Sequence, residues 1–185
     1  MDRKKLKKNL PRDMAYIAVG AVLIALCSWI AFPGPVPFTM QTFGVMFVLG
    51  LLKGRRGTLA VLVYLLMGAV GLPVFSGFSG GVGVLAGATG GYILGFFFGA
   101  CVYWLVTAVW GERTVARAVA SAGALGVCYA FGTLWYVFVF AGDGAGSFVS
   151  ALSLCVVPFI LPDLLKTAGA LAVSRGVEKR IMKRY

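Results

Sequence analysis

Six apolar runs, separated by junctions that alternately carry and lack positive charge, constrain the fold of this 185-residue chain more than any other feature. The runs cover residues 14–32, 38–52, 58–75, 91–110, 115–141 and 149–173. A helix needs about 20 apolar residues to cross the hydrocarbon core of a bilayer. The second run is short, so we expect it to be tilted or to begin as a loop that dips inward. With 60% hydrophobic residues and a mean hydropathy of +0.93, the chain is predicted to be an all-α integral membrane protein.

Positive charge marks every second junction along the chain. All but one of the 17 Lys and Arg residues lie in the two terminal segments or in the junctions near residues 53–56 and 113–117. The junctions near residues 33–37, 76–90 and 142–148 have none. Because cytoplasmic segments are enriched in Lys and Arg, the alternation predicts six transmembrane helices with both termini in the cytoplasm. The predicted division is a basic segment at residues 1–13, a membrane domain at 14–173 and a basic tail at 174–185.

Several classes of function are disfavoured by the composition. Membrane orientation and attraction to anionic lipid account for the net charge of +11, so no nucleic-acid partner is predicted. The chain has no His, and no nucleophile–base pair, carboxylate pair or metal-ligand spacing stands out, so we predict no enzyme, metal site or cofactor. The four Cys lie in apolar runs and are interpreted as small hydrophobes. No phosphate-binding glycine motif is present, so any ATP hydrolysis must come from a partner.

Two unusual junctions fall on the side opposite to the cations. The first contains three prolines within residues 33–37, which prevent a helix and favour a stiff, extended segment. The second, residues 76–91, contains seven glycines in sixteen residues. Irregular backbone at membrane depth is tolerated where it is buried in protein or lines a cavity. These junctions predict a pocket that opens outward and is capped by both loops; the alternative is a pair of tight surface connections.

The last apolar run carries the remaining cation, Lys166, three residues after Asp163. We expect these two to be the only charges at membrane depth, where each costs roughly 2.5–3.5 kcal/mol on insertion scales. The spacing places them on one face of a helix, where Asp163 could accept hydrogen bonds from a ligand and Lys166 could donate to a carbonyl or attract a carboxylate. The alternative is an ion pair that only neutralises itself. Aromatic residues predicted to pack on the apolar part of a ligand, or else to lie in the core or membrane interface, are Tyr92, Tyr129 and Trp135.

Small residues repeat at every fourth position in two places. Such a stripe gives a helix a smooth face for close packing against a neighbour. Ala21 and Ala25 form one stripe, for which internal packing and contact with another subunit are equally plausible from the residues alone. The other stripe is predicted to pack internally and consists of Gly87, Gly91, Gly95 and Gly99.

Five segments together are typical of one known family. They are residues 36–42 (VPFTMQT), 53–60 (KGRRGTLA) running into 64–75, 87–92 (GATGGY), 129–135 (YAFGTLW) and 162–166 (PDLLK). In this order, over residues 15–172, the chain resembles the BioY family, the biotin-binding membrane subunits (S-components) of energy-coupling-factor (ECF) transporters. One departure is Ala88, which stands where the family commonly has Pro.

The resemblance implies an S-component fold of six helices that captures biotin from outside a bacterial or archaeal cell, in the plasma membrane. It implies that two loops, around Gln41 and around the glycine-rich segment, close over the ligand. It also implies that Ala21 and Ala25 dock on a transmembrane coupling subunit, with two ATPase subunits completing the complex. An S-component for another vitamin and an ATP-independent biotin carrier remain alternatives. The substrate-binding residues by this resemblance are Thr39, Gln41, Gly90, Gly91, Tyr92, Tyr129, Trp135, Asp163 and Lys166.

Overall fold

The structure is a computed structural model that describes residues 3–32, 38–140 and 146–182 and is helical through most of them. Its α-helices in chain order are α1 (Arg3–Trp29), α2 (Gln41–Ala69), α3 (Val82–Ala86), α4 (Gly90–Trp110), α5 (Thr114–Trp135), α6 (Gly146–Cys155) and α7 (Val157–Met182). Two short antiparallel strands, β1 (Ala31–Phe32) and β2 (Phe38–Thr39), pair between α1 and α2. The predicted proline segment at residues 33–37 and the part of the last outer junction at residues 141–145 lie outside the described residues.

Four helices of the described part are long and apolar enough to cross a membrane. These stretches are Leu10–Trp29, Gly90–Trp110, Thr114–Phe140 and Val157–Arg180. Apolar side chains on their outer faces remain exposed, as expected for surfaces in contact with lipid tails; Leu105, Val109 and Leu161 are examples. The prediction of a helical protein with several membrane-spanning segments is therefore confirmed.

Helix α2 is two helices joined by a reversal of the chain. Lys53 has φ 66° and ψ 167°, which is far from helical geometry and ends the first half after residue 52. A Cβ added at Gly57 would lie 2.9 Å from the Cα of Leu49, so the second half folds back on the first. The first half, residues 41–52, rises only about 18 Å, because residues 38–39 form a strand instead of extending the helix. This agrees with the expectation that the second apolar run begins as a loop.

The glycine stripe packs internally, as predicted, but it is shorter. In α4, a Cβ added at Gly95 would lie 3.0 Å from the carbonyl oxygen of Cys128, and one at Gly99 would lie 2.6 Å from that of Ala124. The backbones of α4 and α5 therefore approach too closely for a larger side chain. Gly87 precedes the first residue of α4, so its inclusion in the stripe was wrong.

The alanine stripe on α1 faces the inside of the protein. Ala21 and Ala25 are 0% and 4% exposed and belong to the same hydrophobic core as Val48 and Ala60 of α2. The prediction that Ala21 and Ala25 contact a coupling subunit is therefore not supported, because the core already covers their side chains. Of the two interpretations left open by the residues, internal packing is the one that the structure favours.

Ion pairs join the basic junctions at the end of the bundle where the chain reverses. The Arg117 Nε donates to Glu112 at 2.9 Å, and its two terminal nitrogens donate to Glu178 Oε2 at 3.1 Å. Lys53 also pairs with Glu178, at 3.6 Å. The side chain of Arg117 is only 4% exposed, so buried charge in the described residues is not confined to Asp163 and Lys166. Arg117 belongs to a basic junction, and the expectation that Asp163 and Lys166 are the only charges at membrane depth stays a prediction. Because α5 and α7 each supply a partner, the cluster ties these two helices together.

The predicted domain boundaries do not coincide with breaks in the backbone. The boundary between residues 13 and 14 falls within α1, and the boundary between 173 and 174 falls within α7, which continues to Met182. A helix can extend beyond the hydrocarbon core into the charged zone, so the division at these points stays a prediction.

Candidate functional site

A cavity lies between β2, α4, α5 and α7, with Ser76 of the glycine-rich junction also in its wall. Its wall combines apolar and aromatic side chains with many polar groups and one pair of charges. The lining residues are Thr39, Gln41, Thr42, Ser76, Thr89, Tyr92, Ile93, Phe96, Leu125, Cys128, Tyr129, Cys155, Phe159, Asp163 and Lys166. Six of the nine predicted substrate-binding residues are among them: Thr39, Gln41, Tyr92, Tyr129, Asp163 and Lys166.

Asp163 and Lys166 form the charged part of the cavity. They lie one helical turn apart on α7, and the Lys166 ammonium donates to Asp163 Oδ1 at 2.9 Å. The Tyr129 hydroxyl of α5 donates to the other oxygen, Oδ2, at 2.7 Å. Both charged residues are buried, with 5% and 8% exposure. The ion pair that the sequence left as an alternative is therefore formed, and it lines the cavity at the same time.

The strand β2 covers Lys166 from the other side. The ammonium donates to the backbone carbonyl of Thr39 at 2.8 Å and lies 3.6 Å from the centroid of the Phe38 ring. The Phe38 ring in turn stacks on Phe159 of α7, with 6.3 Å between ring centroids. One cation thus connects the strand before α2 to the helix at the end of the chain.

Gln41 is the first residue of α2, and its side chain is fixed by a hydrogen bond to the protein core. Its side-chain Nε2 donates to the hydroxyl of Tyr64 at 2.9 Å. Tyr64 is fully buried and packs edge-on against Phe75, at 5.5 Å between centroids. The amide is therefore oriented by a rigid second layer, so it presents a fixed polar group to the cavity.

Tyr92 is placed in the cavity wall by contacts between α4 and α5. Its hydroxyl lies 3.2 Å from the Thr133 hydroxyl, within hydrogen-bond distance. Its backbone carbonyl accepts a bond from the Cys128 thiol at 3.3 Å. These contacts fix the tyrosine ring next to the apolar residues Ile93 and Phe96, which also face the cavity.

Three predicted binding residues, Gly90, Gly91 and Trp135, are not among the lining residues. A Cβ at Gly91 would lie 2.5 Å from Cγ of Trp135, and one at Gly90 would collide with the backbone of Leu85. Trp135 Nε1 donates to the carbonyl of Gly87 at 3.2 Å. These residues therefore brace the glycine-rich segment, and direct contact between them and a ligand stays a prediction.

Several lining residues were missed from the sequence. Phe159 lies four residues before Asp163 on the same face of α7, and Phe96 lies four residues after Tyr92 on α4, so helical periodicity could have found both. Cys128 and Cys155 were interpreted only as small hydrophobes, and nothing local marks them as cavity residues. In the described ranges no three His, Cys, Asp or Glu side chains come together as a metal site.

The arrangement is suited to recognition of a small amphipathic molecule. It offers a carboxylate that can accept, an ammonium and an amide that can donate, and aromatic and aliphatic walls. The two charges compensate each other, so the cavity wall is close to neutral while each charged group can still strengthen a hydrogen bond.

Comparison with known proteins assigns the chain to a family. A family model described as the BioY family matches residues 2–183. The chain belongs to the BioY family. The biotin transporter BioY of Thermotoga maritima is 38% identical over 175 residues, which cover 94% of this chain and 99% of that protein. The biotin transporter BioY of Rhodobacter capsulatus is 32% identical over 178 residues, covering 91% and 94%.

The fold is also found in a solved structure. A crystal structure of the S-component for biotin from an ECF-type ABC transporter matches with a TM-score of 0.78 and 23% identity, covering 97% of this chain and 95% of that one. The S-component architecture expected from the sequence is therefore confirmed at the level of the fold.

Proposed function

We propose that this protein captures biotin from the outer side of the cell membrane as the S-component of an ECF-type transporter. The observation that carries the proposal is the placement of Asp163, Lys166 and Tyr129 in one buried hydrogen-bonded group on the wall of a cavity, in a chain of the BioY family. The BioY relatives named above are biotin transporters, and this chain aligns with them over nearly their whole length.

The chemistry of biotin matches the groups in the cavity. Its ureido ring has two N–H donors and a carbonyl, its thioether ring and chain are apolar, and it ends in a carboxylate. Asp163 accepts from the ureido N–H groups, and Lys166 serves either the ureido carbonyl or the carboxylate. Tyr92 and Phe159 supply apolar contacts. Gly90, Gly91 and Trp135 brace the glycine-rich loop, and we propose that this loop brings them close to the ligand. No cofactor is required, and the protein carries out no chemistry on biotin.

We propose six transmembrane helices with both termini in the cytoplasm: α1, the two halves of α2, α4, α5 and α7. The reversal at Lys53 supports this count, because it allows α2 to cross twice. The pairing of Lys53, Arg117 and Glu178 at one end supports the orientation, since it brings the cation-rich junctions together there. The cavity then opens to the opposite, outer side.

Delivery of biotin to the cytoplasm depends on partners. We propose a transmembrane coupling subunit and two ATPase subunits, because the cavity offers recognition groups and the chain carries no phosphate-binding glycine motif. Since Ala21 and Ala25 are buried, we propose that the coupling subunit contacts other residues. The exposed face of α1 that includes Val19, Val22 and Leu26 is available for this contact.

The first test is calorimetric titration of the detergent-purified protein with biotin, using lipoate, thiamine and riboflavin as controls. Tight biotin binding with no heat from the controls supports the proposal. Binding of a control vitamin and not biotin would change the substrate. Uptake of biotin into vesicles that hold this chain without any ATPase would identify an ATP-independent carrier instead.

A further inference from the structure

Lys166 has three neighbours around its ammonium, and one of them is an aromatic face. Nζ lies 2.9 Å from Asp163 Oδ1, 2.8 Å from the Thr39 carbonyl oxygen and 3.6 Å from the centroid of Phe38. A lysine ammonium has three N–H donors, of which two are directed to the oxygens. The Phe38 ring face is the third contact of the ammonium, and it is not a hydrogen bond to an oxygen.

The contact is strong because water has little access to it. The Lys166 side chain is only 7% exposed. The attraction between a cation and an aromatic face increases when the cation is desolvated. The Phe38 ring is also fixed from both sides, since it stacks on Phe159 at 6.3 Å and packs against Phe32 at 6.1 Å. A ring held in this way fixes the position of the ammonium in turn.

Phe38 is not one of the residues that line the cavity, whereas Lys166 and Phe159 are. Any effect of Phe38 on a ligand must therefore pass through these two neighbours. Thr39 and Lys166 are 127 positions apart in the chain, so the contact also fixes β2 against α7. The position of the strand and the direction of the ammonium are then set together.

We infer that Phe38 is a positioning residue for the binding site: its ring holds the Lys166 ammonium in place at the cavity wall and thereby determines the affinity for biotin. This inference rests on the proposed function for its effect on biotin, but the contact itself does not depend on it. Removing the negative face of the ring leaves a mobile ammonium and a loosened strand, so biotin dissociates faster.

The decisive experiment replaces Phe38 by phenylalanines with one, two or three ring fluorines. Fluorination withdraws charge from the ring face while the side chain keeps nearly the same shape. We expect the Kd for biotin to increase with each fluorine, by roughly 2- to 30-fold over the series, which is the range of a cation–π contact. The melting temperature of the ligand-free protein should fall in the same order.

Phe32 provides a matched control, because it pairs with Phe38 in the same two-stranded ribbon and is not placed over the ammonium. Because Phe32 packs on the Phe38 ring, fluorination at Phe32 should change the Kd and the melting temperature less than fluorination at Phe38 does. Phe38→Leu should weaken biotin binding as much as the trifluorinated ring does. Phe38→Trp keeps an aromatic face, so its affinity for biotin should stay close to that of the native protein. Kd and melting temperature that do not depend on fluorination at position 38, or that respond equally at position 32, overturn the inference. The melting temperatures of the variants could fall in the graded order while the unmodified protein binds no biotin. That outcome would overturn the proposed function and leave the Phe38–Lys166 contact standing.

Discussion

Replacement of Asp163 by Asn tests the site most directly, because it removes the charge and preserves the shape. The native carboxylate accepts two protein hydrogen bonds, from Tyr129 at 2.7 Å and from Lys166 at 2.9 Å. An amide has one acceptor oxygen, so it can satisfy only one of these donors while its NH2 group faces the other. Hydrogen bonds to a charged group contribute about 1.5–3 kcal/mol. We therefore expect biotin to bind roughly 10- to 150-fold more weakly.

The same change also affects the ligand-free protein, and the assay must separate the two effects. Lys166 keeps the Thr39 carbonyl and the Phe38 ring, so we expect a loss of about 1–3 kcal/mol and not complete unfolding. Size-exclusion chromatography and melting in detergent establish that the variant is folded before titration by calorimetry. Asp13→Asn is a matched control, because Asp13 forms a partly exposed ion pair with Arg56, at 2.8 Å. Its biotin affinity should equal that of the native protein.

The result that refutes this reasoning is a folded Asp163→Asn protein with native affinity for biotin. Asp163 would then be part of a structural ion pair and not a ligand contact. An unfolded variant would indicate that the pair mainly stabilises the fold, and Tyr129→Phe then tests the ligand role. That change removes one donor to the carboxylate and keeps the charge pair, so its affinity should fall by less than tenfold, the scale of one neutral hydrogen bond of about 1 kcal/mol.

Three further changes test other parts of the structure. Lys166→Met should abolish tight biotin binding in calorimetry while the protein stays folded; a lower melting temperature with unchanged biotin affinity would favour a purely structural pair. Glu178→Gln leaves the buried guanidinium of Arg117 with fewer partners, so the free energy of unfolding should fall on the order of 3 kcal/mol, with biotin affinity unchanged because the cluster lies away from the cavity. Gly99→Ala should destabilise by about 1–3 kcal/mol, because the new methyl group meets the α5 backbone, whereas Gly126→Ala, which meets nothing, should not. Thermal unfolding in detergent measures both; a native melting temperature for Gly99→Ala would contradict the close packing.

Much of the secondary structure could be predicted from local sequence. The apolar runs located the helices, since hydrocarbon burial requires long apolar segments regardless of how the helices pack. The three-residue spacing of Asp163 and Lys166 placed both side chains on one face of α7, because helical periodicity is a local property. The same periodicity could have identified Phe159, one turn earlier, but the residue was missed because nothing in the local sequence marks it as part of the site.

The sequence could not show which face of a helix points inward when both faces are apolar. Ala21 and Ala25 illustrate this, because a stripe of small residues looks the same whether it packs in the core or against a second subunit. Arg117 illustrates the converse, since a cation in a charged junction is expected to be solvated. Its burial depends on Glu178, which lies 61 residues away in the chain. Such pairings are set by the arrangement of the helices.

The sequence by itself determined that the chain is a membrane protein with helices at the apolar runs and one pair of charges on the last of them. Those features follow from residue type and spacing within a single segment. Only the tertiary structure brought Tyr129 to Asp163 and placed Phe38 and Thr39 on Lys166, because these contacts join segments that are far apart in the chain. The physical reason is that the binding site exists only where β2, α4, α5 and α7 meet, and helix packing, not local composition, decides where that is.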